Sequence, residues 1–511
     1  MVEVQDSSSD AVAATAVARP DSNPPRAANM DTYNFRLLTA LLPKLPLIVR
    51  VAVMHVLRLS EQAKYLDLRS ALVVAVLRSF MEPPPDRPRT SVSALQRLTL
   101  TDNGVRGRIW VSTYAAPPPP ETGIRDALMQ AVDDMRDRNL PEPLFKTPEL
   151  VPVEAEWTGY RAGAAPGDPL PRKSARELYD SMMVECSQPT TVLYLHGGAY
   201  YLCDPSTHRP VNKKLAKLTG GRCYSVRYRL APQHPFPAAL LDALVSYFTL
   251  LYPPPDAFHE PVEPEHLVLA GDSAGGNLVL ALLQLLLEFR RKGTTVQWFG
   301  EARDVPLPAG VTLNSPWTDI TMSSPSWEGT ASAPFDYLPK PEALARGKTR
   351  ECEAWPASPP RKWLYVDDLL VTHPLSSVVM SRSWEGAPPV YMCTGWEILA
   401  LEDKFLARRL HDEGVPVVFE EYEAMPHCFA MILDKTPNAR RCFEGWAGFI
   451  RRTVEDAGSI RSAAVEVKAK TLEEVPLVFE ELSDVTEEEM WGRVYDKAGF
   501  AKLGEAASAR L

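Results

Sequence analysis

The middle of the chain alternates between two hydrophobic periods. TTVLYL (190–195), RCYSVRY (222–228), HLVLAG (266–271), VTLN (311–314), YMCT (391–394) and VVFEEY (417–422) are short apolar or β-branched runs, the pattern of strands buried on both faces. Between them lie stretches with helical spacing and strong helix formers: VNKKLAKLTG (211–220), residues 238–251 and NLVLALLQLLLEF (277–289). Strands separated by helices of this length predict an α/β fold, a mostly parallel sheet covered by helices on both faces.

The flanks are less regular. SALQRLTLTD (93–102) and GRIWVSTYA (107–115) alternate and read as the first strands, with another at 151–160. Residues 126–138 read as a short helix, and 161–189 as a loop-rich insertion. Residues 315–389 form a long excursion holding Trp317, Trp327, Trp355, Trp363 and Trp384; a segment that long inside a domain is expected to serve as a lid or cap. Residues 438–453 are amphipathic, and TEEE at 486–489 has the form of a capping box opening a last helix. At the other end, residues 1–30 are polar and rich in Pro and Ala, and are expected to be disordered. A helix at 35–42 is followed by two apolar stretches, 47–59 and 66–81, and a proline breaker at 83–88. The resulting division is a tail (1–30), N-terminal helices (31–82), first strands and insertion (83–189), a core (190–455) that includes the 315–389 excursion, and an acidic extension (456–511).

Composition narrows the class. The 511 residues are 45% hydrophobic and 23% charged, an ordinary globular mixture, with a formal net charge of -10. No block of basic residues is present, which argues against a nucleic-acid partner. The cysteines Cys186, Cys203, Cys223, Cys352, Cys393, Cys428 and Cys442 are scattered without CxxC spacing, so a reducing, cytoplasmic setting and a metal-free, cofactor-free chain are expected. The acidic, polar start is not a secretory signal. Arg50, His55 and Arg58 interrupt the 47–59 stretch, so no run reaches the roughly 18–20 residues needed to span a bilayer. Such a segment suits helices covering the mouth of an apolar site, and it also suits peripheral contact with an intracellular membrane surface.

The chemistry centres on AGDSAGGN (270–277), where Ser273 lies between Gly271 and Gly275 in a Gly-x-Ser-x-Gly pattern, strand before and helix after. That setting lifts a serine hydroxyl clear of a sheet, and the small flanking residues let strand and helix nearly touch. A serine nucleophile needs a base and an acid that orients the base. His427 follows the strand at 417–422 and precedes the final core helix; His411 and His373 are the weaker candidates. Glu397 falls just past the strand at 391–394, with Glu402 and Asp403 as alternatives whose place at a helix start gives them an ordinary dipole-pairing role. Gly197 and Gly198 follow the strand at 190–195, and with Ala274 they offer backbone N–H donors for an oxyanion.

These residues resemble the hormone-sensitive-lipase-like branch of the α/β-hydrolases. The resemblance rests on YLHGGAYY, YRLAPQHPFPAALLDA, GDSAGGNL, SPWTDIT and the Glu397…His427 pair, and covers about residues 190–453. It implies an α/β-hydrolase fold, a helical cap built from the N-terminal helices plus the 315–389 insertion, and hydrolysis of carboxylic esters ranging from short acyl esters to lipid and steryl esters. It also implies an oxyanion hole formed by the first motif's glycines and the residue after the nucleophile. Three positions depart from the family: Ala199 replaces the third glycine of HGGG, Gln233 stands where glutamate is usual, and Glu397 stands where aspartate is commoner. The expected function is a Ser-His-Glu carboxylic ester hydrolase acting on a small-molecule, hydrophobic or lipid-like ester. The alternatives are a catalytically inactive small-molecule binding protein on the same fold and an acyltransferase with the same triad.

Overall fold

The computed structural model describes residues 39, 41–82, 89–329, 334–340 and 349–500. The expected tail at 1–30, most of the expected helix at 35–42 and the breaker at 83–88 lie outside the described residues. The chain divides into two units, residues 1–43 and 44–511, and the sheet with its surrounding helices belongs to the second.

Three helices come first: α1 (Leu45–Val56), α2 (Leu68–Met81) and α3 (Val92–Thr99). They lead into β1 (Ile109–Ala116), α4 (Gly123–Met135), β2 (Val153–Tyr160) and α5 (Ala175–Glu185). The regular core then runs β3 (Thr191–Leu195), α6 (Pro205–Thr219), β4 (Arg222–Val226), α7 (Ala238–Leu251), β5 (Leu267–Asp272) and α8 (Ala274–Lys292). A small hairpin, β6 (Val296–Trp298) and β7 (Glu301–Arg303), precedes β8 (Gly310–Asn314). After the long excursion come β9 (Val390–Gly395), α9 (Ala400–Asp412), β10 (Val417–Tyr422), the single turn α10 (Phe429–Ile432) and α11 (Pro437–Asp456). The chain closes with β11 (Ala463–Val467), β12 (Glu474–Pro476) and α12 (Glu487–Ala498).

One ten-stranded sheet has the order β1-β2-β4-β3-β5-β8-β9-β10-β11-β12. From β4 to β11 every neighbouring pair is parallel, while β1 and β2 on one edge and β12 on the other are antiparallel. The central strands are buried along their whole length, which is why they read as continuous apolar runs. Leu193, Leu195 and Leu269 pack with α7 and α8 on one face; Val192, Tyr194 and Ala270 pack with α6 and α11 on the other. The carboxyl ends of the parallel strands therefore share one rim, where ligands bind in open α/β sheets.

Two readings of the flanks are corrected, and two further segments are placed. Most of residues 93–102, expected as a strand, lie in α3: Ser91 caps it by accepting from the Ala94 N–H, and Val92, Ser93 and Gln96 are its buried positions. The 161–189 insertion contains α5, opened by a complete capping box between Ser174 and Glu177. Part of the excursion is built into the main core, which takes in Tyr365, Val366, Leu370, Val371, Leu375, Val378 and Trp384. The acidic extension adds β11 and β12 to the sheet, and α12 packs Met490, Trp491 and Val494 against Val379, Met380 and Phe405. Thr486 caps α12 by accepting from the Glu489 N–H. Among the described residues, no helix is long and apolar enough to cross a membrane.

Candidate active site

Ser273 joins β5 to α8 with φ 50° and ψ −123°, a conformation costly for a non-glycine residue and held by its surroundings. Its N–H donates to Asn314 O at 3.0 Å, and its carbonyl accepts from the Trp317 N–H at 3.0 Å. The turn has no room for side chains beside it. A Cβ on Gly275 would lie 2.1 Å from Leu195 O, and one on Gly271 2.5 Å from Gly275 O. The hydroxyl is thereby fixed at the sheet's carboxyl rim.

The structure brings His427 to it. Nε2 lies 3.0 Å from Ser273 Oγ, and Cys428 Sγ lies 3.5 Å from the same nitrogen. On the other side of the ring, Nδ1 is 3.2 Å from Glu397 Oε2. That is an ion-pair distance, but Nδ1 has no hydrogen-bond partner of good geometry; such contacts often tighten only when substrate binds. Glu397 is held by two hydroxyls, accepting from Ser315 Oγ at Oε2 and from Thr394 Oγ1 at Oε1, each at 3.0 Å. Ser315 in turn accepts from the Cys428 N–H at 3.1 Å, tying the turn after β10 to the turn after β8.

Electrostatics follow from burial. Burial raises the Glu397 carboxyl, and Asp336 raises it further, while His427 and Ser315 pull it down; the net is upward. Burial opposes charge on His427, but Glu397 first, then Asp336 and Asp272, outweigh it and hold the imidazole above its ordinary value.

The competing residues lie elsewhere. His373 is buried within the excursion, with Nε2 2.9 Å from Val132 O and its pKa pushed down to about 4 by burial. His411 stacks on Phe479 with ring centroids 4.1 Å apart. Glu402 accepts from the N–H groups of Thr318 and Asp319, at 2.7 and 3.3 Å. Asp403 is fully buried with both oxygens unpartnered, and burial, then Glu397 and Glu402, drive its pKa well up. Both acids stand in the first turn of α9, as expected, and both are buried there.

The oxyanion donors need one correction. The Gly197 N–H is taken: it donates to Asp272 Oδ1 at 3.1 Å. Gly197 is small because a Cβ there would lie 2.3 Å from Asp272 Oδ2. The loop then turns through Gly198 (φ +113°) and Ala199 (φ 50°). Among the described residues no acceptor pairs with the N–H of Gly198, Ala199 or Ala274, so these three amides are free to donate. Ala199, which departs from the family's third glycine, adopts this left-handed conformation despite its methyl group.

Asp272, inside the motif but without an expected role, organises this loop. It accepts from Tyr194 Oη at 2.7 Å and from Gly197, and lies 3.2 Å from His208 Nε2. Burial raises its carboxyl, but His208 and Tyr194 more than offset that and keep it below the usual range. His196 stacks on Tyr228 at 4.2 Å, and burial pushes its pKa down to about 3, so it is neutral. Gln233 exchanges amide hydrogen bonds with Gln96 of α3 at 2.8 and 3.2 Å. Among the described residues no group of three or more His, Cys, Asp or Glu is arranged to hold a metal ion.

Several known proteins resemble the chain. A profile for the α/β-hydrolase fold matches residues 192–431. An acetyl-hydrolase from Streptomyces hygroscopicus is 32% identical over 262 residues, 51% of this chain and 75% of that protein. An esterase from Acinetobacter venetianus is 27% identical over 271 residues, 53% of this chain and 77% of that one. A solved esterase of the bacterial hormone-sensitive lipase family, 22% identical, aligns with 76% of this chain and 99% of its own at a TM-score of 0.47. The chain belongs to the α/β-hydrolase family and is a serine-type carboxylic ester hydrolase.

Proposed function

We propose that the chain hydrolyses hydrophobic carboxylic esters through Ser273, His427 and Glu397, with the amides of Gly198, Ala199 and Ala274 receiving the oxyanion. The observation that carries this reading is the 3.0 Å contact between Ser273 Oγ and His427 Nε2, on the ring edge opposite Glu397. His427 takes the proton as Oγ bonds to the ester carbon, then passes it to the departing alcohol oxygen as the carbon–oxygen bond breaks. Water repeats the sequence on the acyl-enzyme, and the acid leaves. Each amide donor supplies about 3 kcal/mol to the tetrahedral state.

Aromatic rings beside the base support a hydrophobic substrate. Tyr337 lies 6.0 Å from the His427 ring, and Tyr65, Phe335 and Trp396 form a mutual edge-on cluster beside Glu397. Soluble esters of graded acyl length test this. kcat/KM should rise about fourfold per added methylene until the acyl site is filled, from the ~0.8 kcal/mol each buried methylene contributes. A preference for acetyl esters over every longer acyl group would remove the hydrophobic part and leave the hydrolase.

Peripheral attachment of the N-terminal helices to an anionic bilayer is the second part of this reading. No residue of α1 is buried. Leu45, Val49, Val53 and Val56 follow one another at helical spacing and are 53%, 54%, 49% and 69% exposed. Residues 44–58 carry Lys44, Arg50 and Arg58 and no acid, in a chain of net charge -10. An exposed apolar stripe flanked by cations matches a negatively charged lipid surface. The protein should sediment with vesicles containing phosphatidylglycerol and less so at high salt, and the double variant Val49→Asp, Val53→Asp should stay in solution. Equal sedimentation of both proteins, or concentration-dependent dimerisation abolished by the same substitutions, would overturn bilayer attachment.

A further inference from the structure

We propose that Asp336 is a positioning residue: its carboxylate clamps the turns carrying Glu397 and His427 and links them to the N-terminal helices. This rests on the triad assignment above.

Asp336 lies in the long excursion and is 2% exposed. Oδ1 accepts from the N–H of His427 itself at 3.2 Å and from that of Tyr337 at 2.7 Å. Oδ2 accepts from the N–H of Ile398, the residue after Glu397, at 2.9 Å. One side chain thus spans two turns that follow different strands, each bearing a triad member. Bonds from backbone N–H groups to an ionised carboxylate are about twice as strong as neutral ones. Removing the carboxylate leaves buried donors without a partner.

The same segment reaches outward. Phe335 meets Tyr65 and Trp396 edge-on, each at 5.5 Å, and Tyr65 meets Trp396 at 5.4 Å. Gln62 donates its side-chain amide to Pro334 O. Both Gln62 and Tyr65 stand between α1 and α2, so packing of the N-terminal helices bears on the clamp directly. Arg78 of α2 also feels the Asp336 charge.

The mechanical consequence is large because reach matters in a triad: a displacement of about 1 Å can cost roughly 100-fold in rate. There is an electrostatic consequence too. The groups facing His427 are Glu397 from the turn after β9, Asp336 and Tyr337 from the excursion, Asp272 from the end of β5 and Cys428 from its own turn. Asp336 is one of the carboxylates that keep the imidazole more basic than usual.

The test is steady-state hydrolysis of a soluble p-nitrophenyl ester across pH, with thermal melting as a check on folding. Asp336→Ala should lower kcat about 100-fold with KM within roughly threefold of wild type. Asp336→Asn should lose less, and the acid limb of its kcat/KM profile should move to lower pH. A scaffold role alone would not move that limb. Tyr65→Ala, which loosens the link but leaves the charge, should lower kcat several-fold with the limb in place. Folded Asp336→Asn protein with wild-type kcat and an unmoved acid limb overturns the proposal. Should both Asp336 variants fail to fold, an unchanged kcat in Tyr65→Ala overturns it. An inactive wild type would instead refute the triad assignment.

Discussion

Replacing Ser273 with alanine is expected to lower kcat by roughly 10^5- to 10^6-fold and to abolish covalent labelling by a fluorophosphonate, while leaving the protein folded. The hydroxyl is the atom that attacks carbon or phosphorus, and no other one sits 3.0 Å from His427 Nε2 among the described residues. Cys428 Sγ is 3.5 Å from that nitrogen, but burial, then Asp272 and Glu397, drive its thiol pKa well up, so no thiolate is available to substitute. The turn survives the change because its hydrogen bonds run through the backbone of Ser273, to Asn314 and from Trp317. Loss of one side-chain hydrogen bond costs about 1 kcal/mol of stability. The reading as an inactive binding protein makes the opposite claim: no label and no turnover in the wild type. An acyltransferase would label as a hydrolase does, and would be separated by supplying a competing alcohol and finding ester product in place of acid. Label retained by Ser273→Ala would move the nucleophile elsewhere.

The parts of this molecule that were legible beforehand share a physical cause. Strands β3, β5 and β8 are buried on both faces, so their residues are mostly apolar or small, and the run itself betrays the strand. The elbow at Ser273 is legible because Gly271 and Gly275 answer to local sterics, with Leu195 O and Gly275 O where a Cβ would go. His427 and Glu397 stand out as candidates in the sequence because each follows a strand end, a position set by chain order. The two misread segments carry local helix signals that strand-like alternation and loop-like composition mask. Leu98 and Leu100 of the 93–102 segment mimic a strand's alternation, but Leu98 is 74% exposed, and the cap at Ser91 decides for helix. The box at Ser174 and Glu177 was a local signal for α5, overlooked inside a loop-like stretch.

Site residues missed in the sequence have a different explanation. Gly197 and Gly198 are identical letters, and nothing local says that one amide is taken and the other open; Asp272, 75 residues away, makes the difference. Asp336 is further removed from any pattern. It sits in a stretch with no periodicity, 62 residues before Ile398 and 91 before His427. Its role exists only after the sheet has brought three chain segments to one rim. Buried carboxylates that accept from backbone N–H groups are specified by tertiary geometry, and a single sequence carries no mark of them.

Glu397→Gln is expected to lower kcat about 10^4-fold, roughly 5 kcal/mol of transition-state stabilisation, with little change in KM. The substitution keeps the volume and can keep one of the acceptors now serving Ser315 and Thr394. What it removes is the charge 3.2 Å from His427 Nδ1. An amide turned with its NH2 toward the ring forces Nδ1 to accept, so Nε2 carries the proton and cannot take one from Ser273. Turned the other way, it orients the ring but leaves the imidazolium without its main counter-charge. Catalysis needs neutral His427, so wild-type activity falls as pH drops through its raised pKa. In Glu397→Gln that pKa falls, and the residual activity should persist to lower pH, a shift that a pH–rate profile reads directly. Glu397→Asp keeps the charge one methylene further back and should retain more activity than the glutamine variant. Asp403 offers no substitute, because burial, then Glu397 and Glu402, push its carboxyl well up and disfavour a charge there, and no contact joins it to the His427 ring among the described residues. Asp403→Asn should therefore be far milder than Glu397→Gln; the reverse order would reassign the orienting acid.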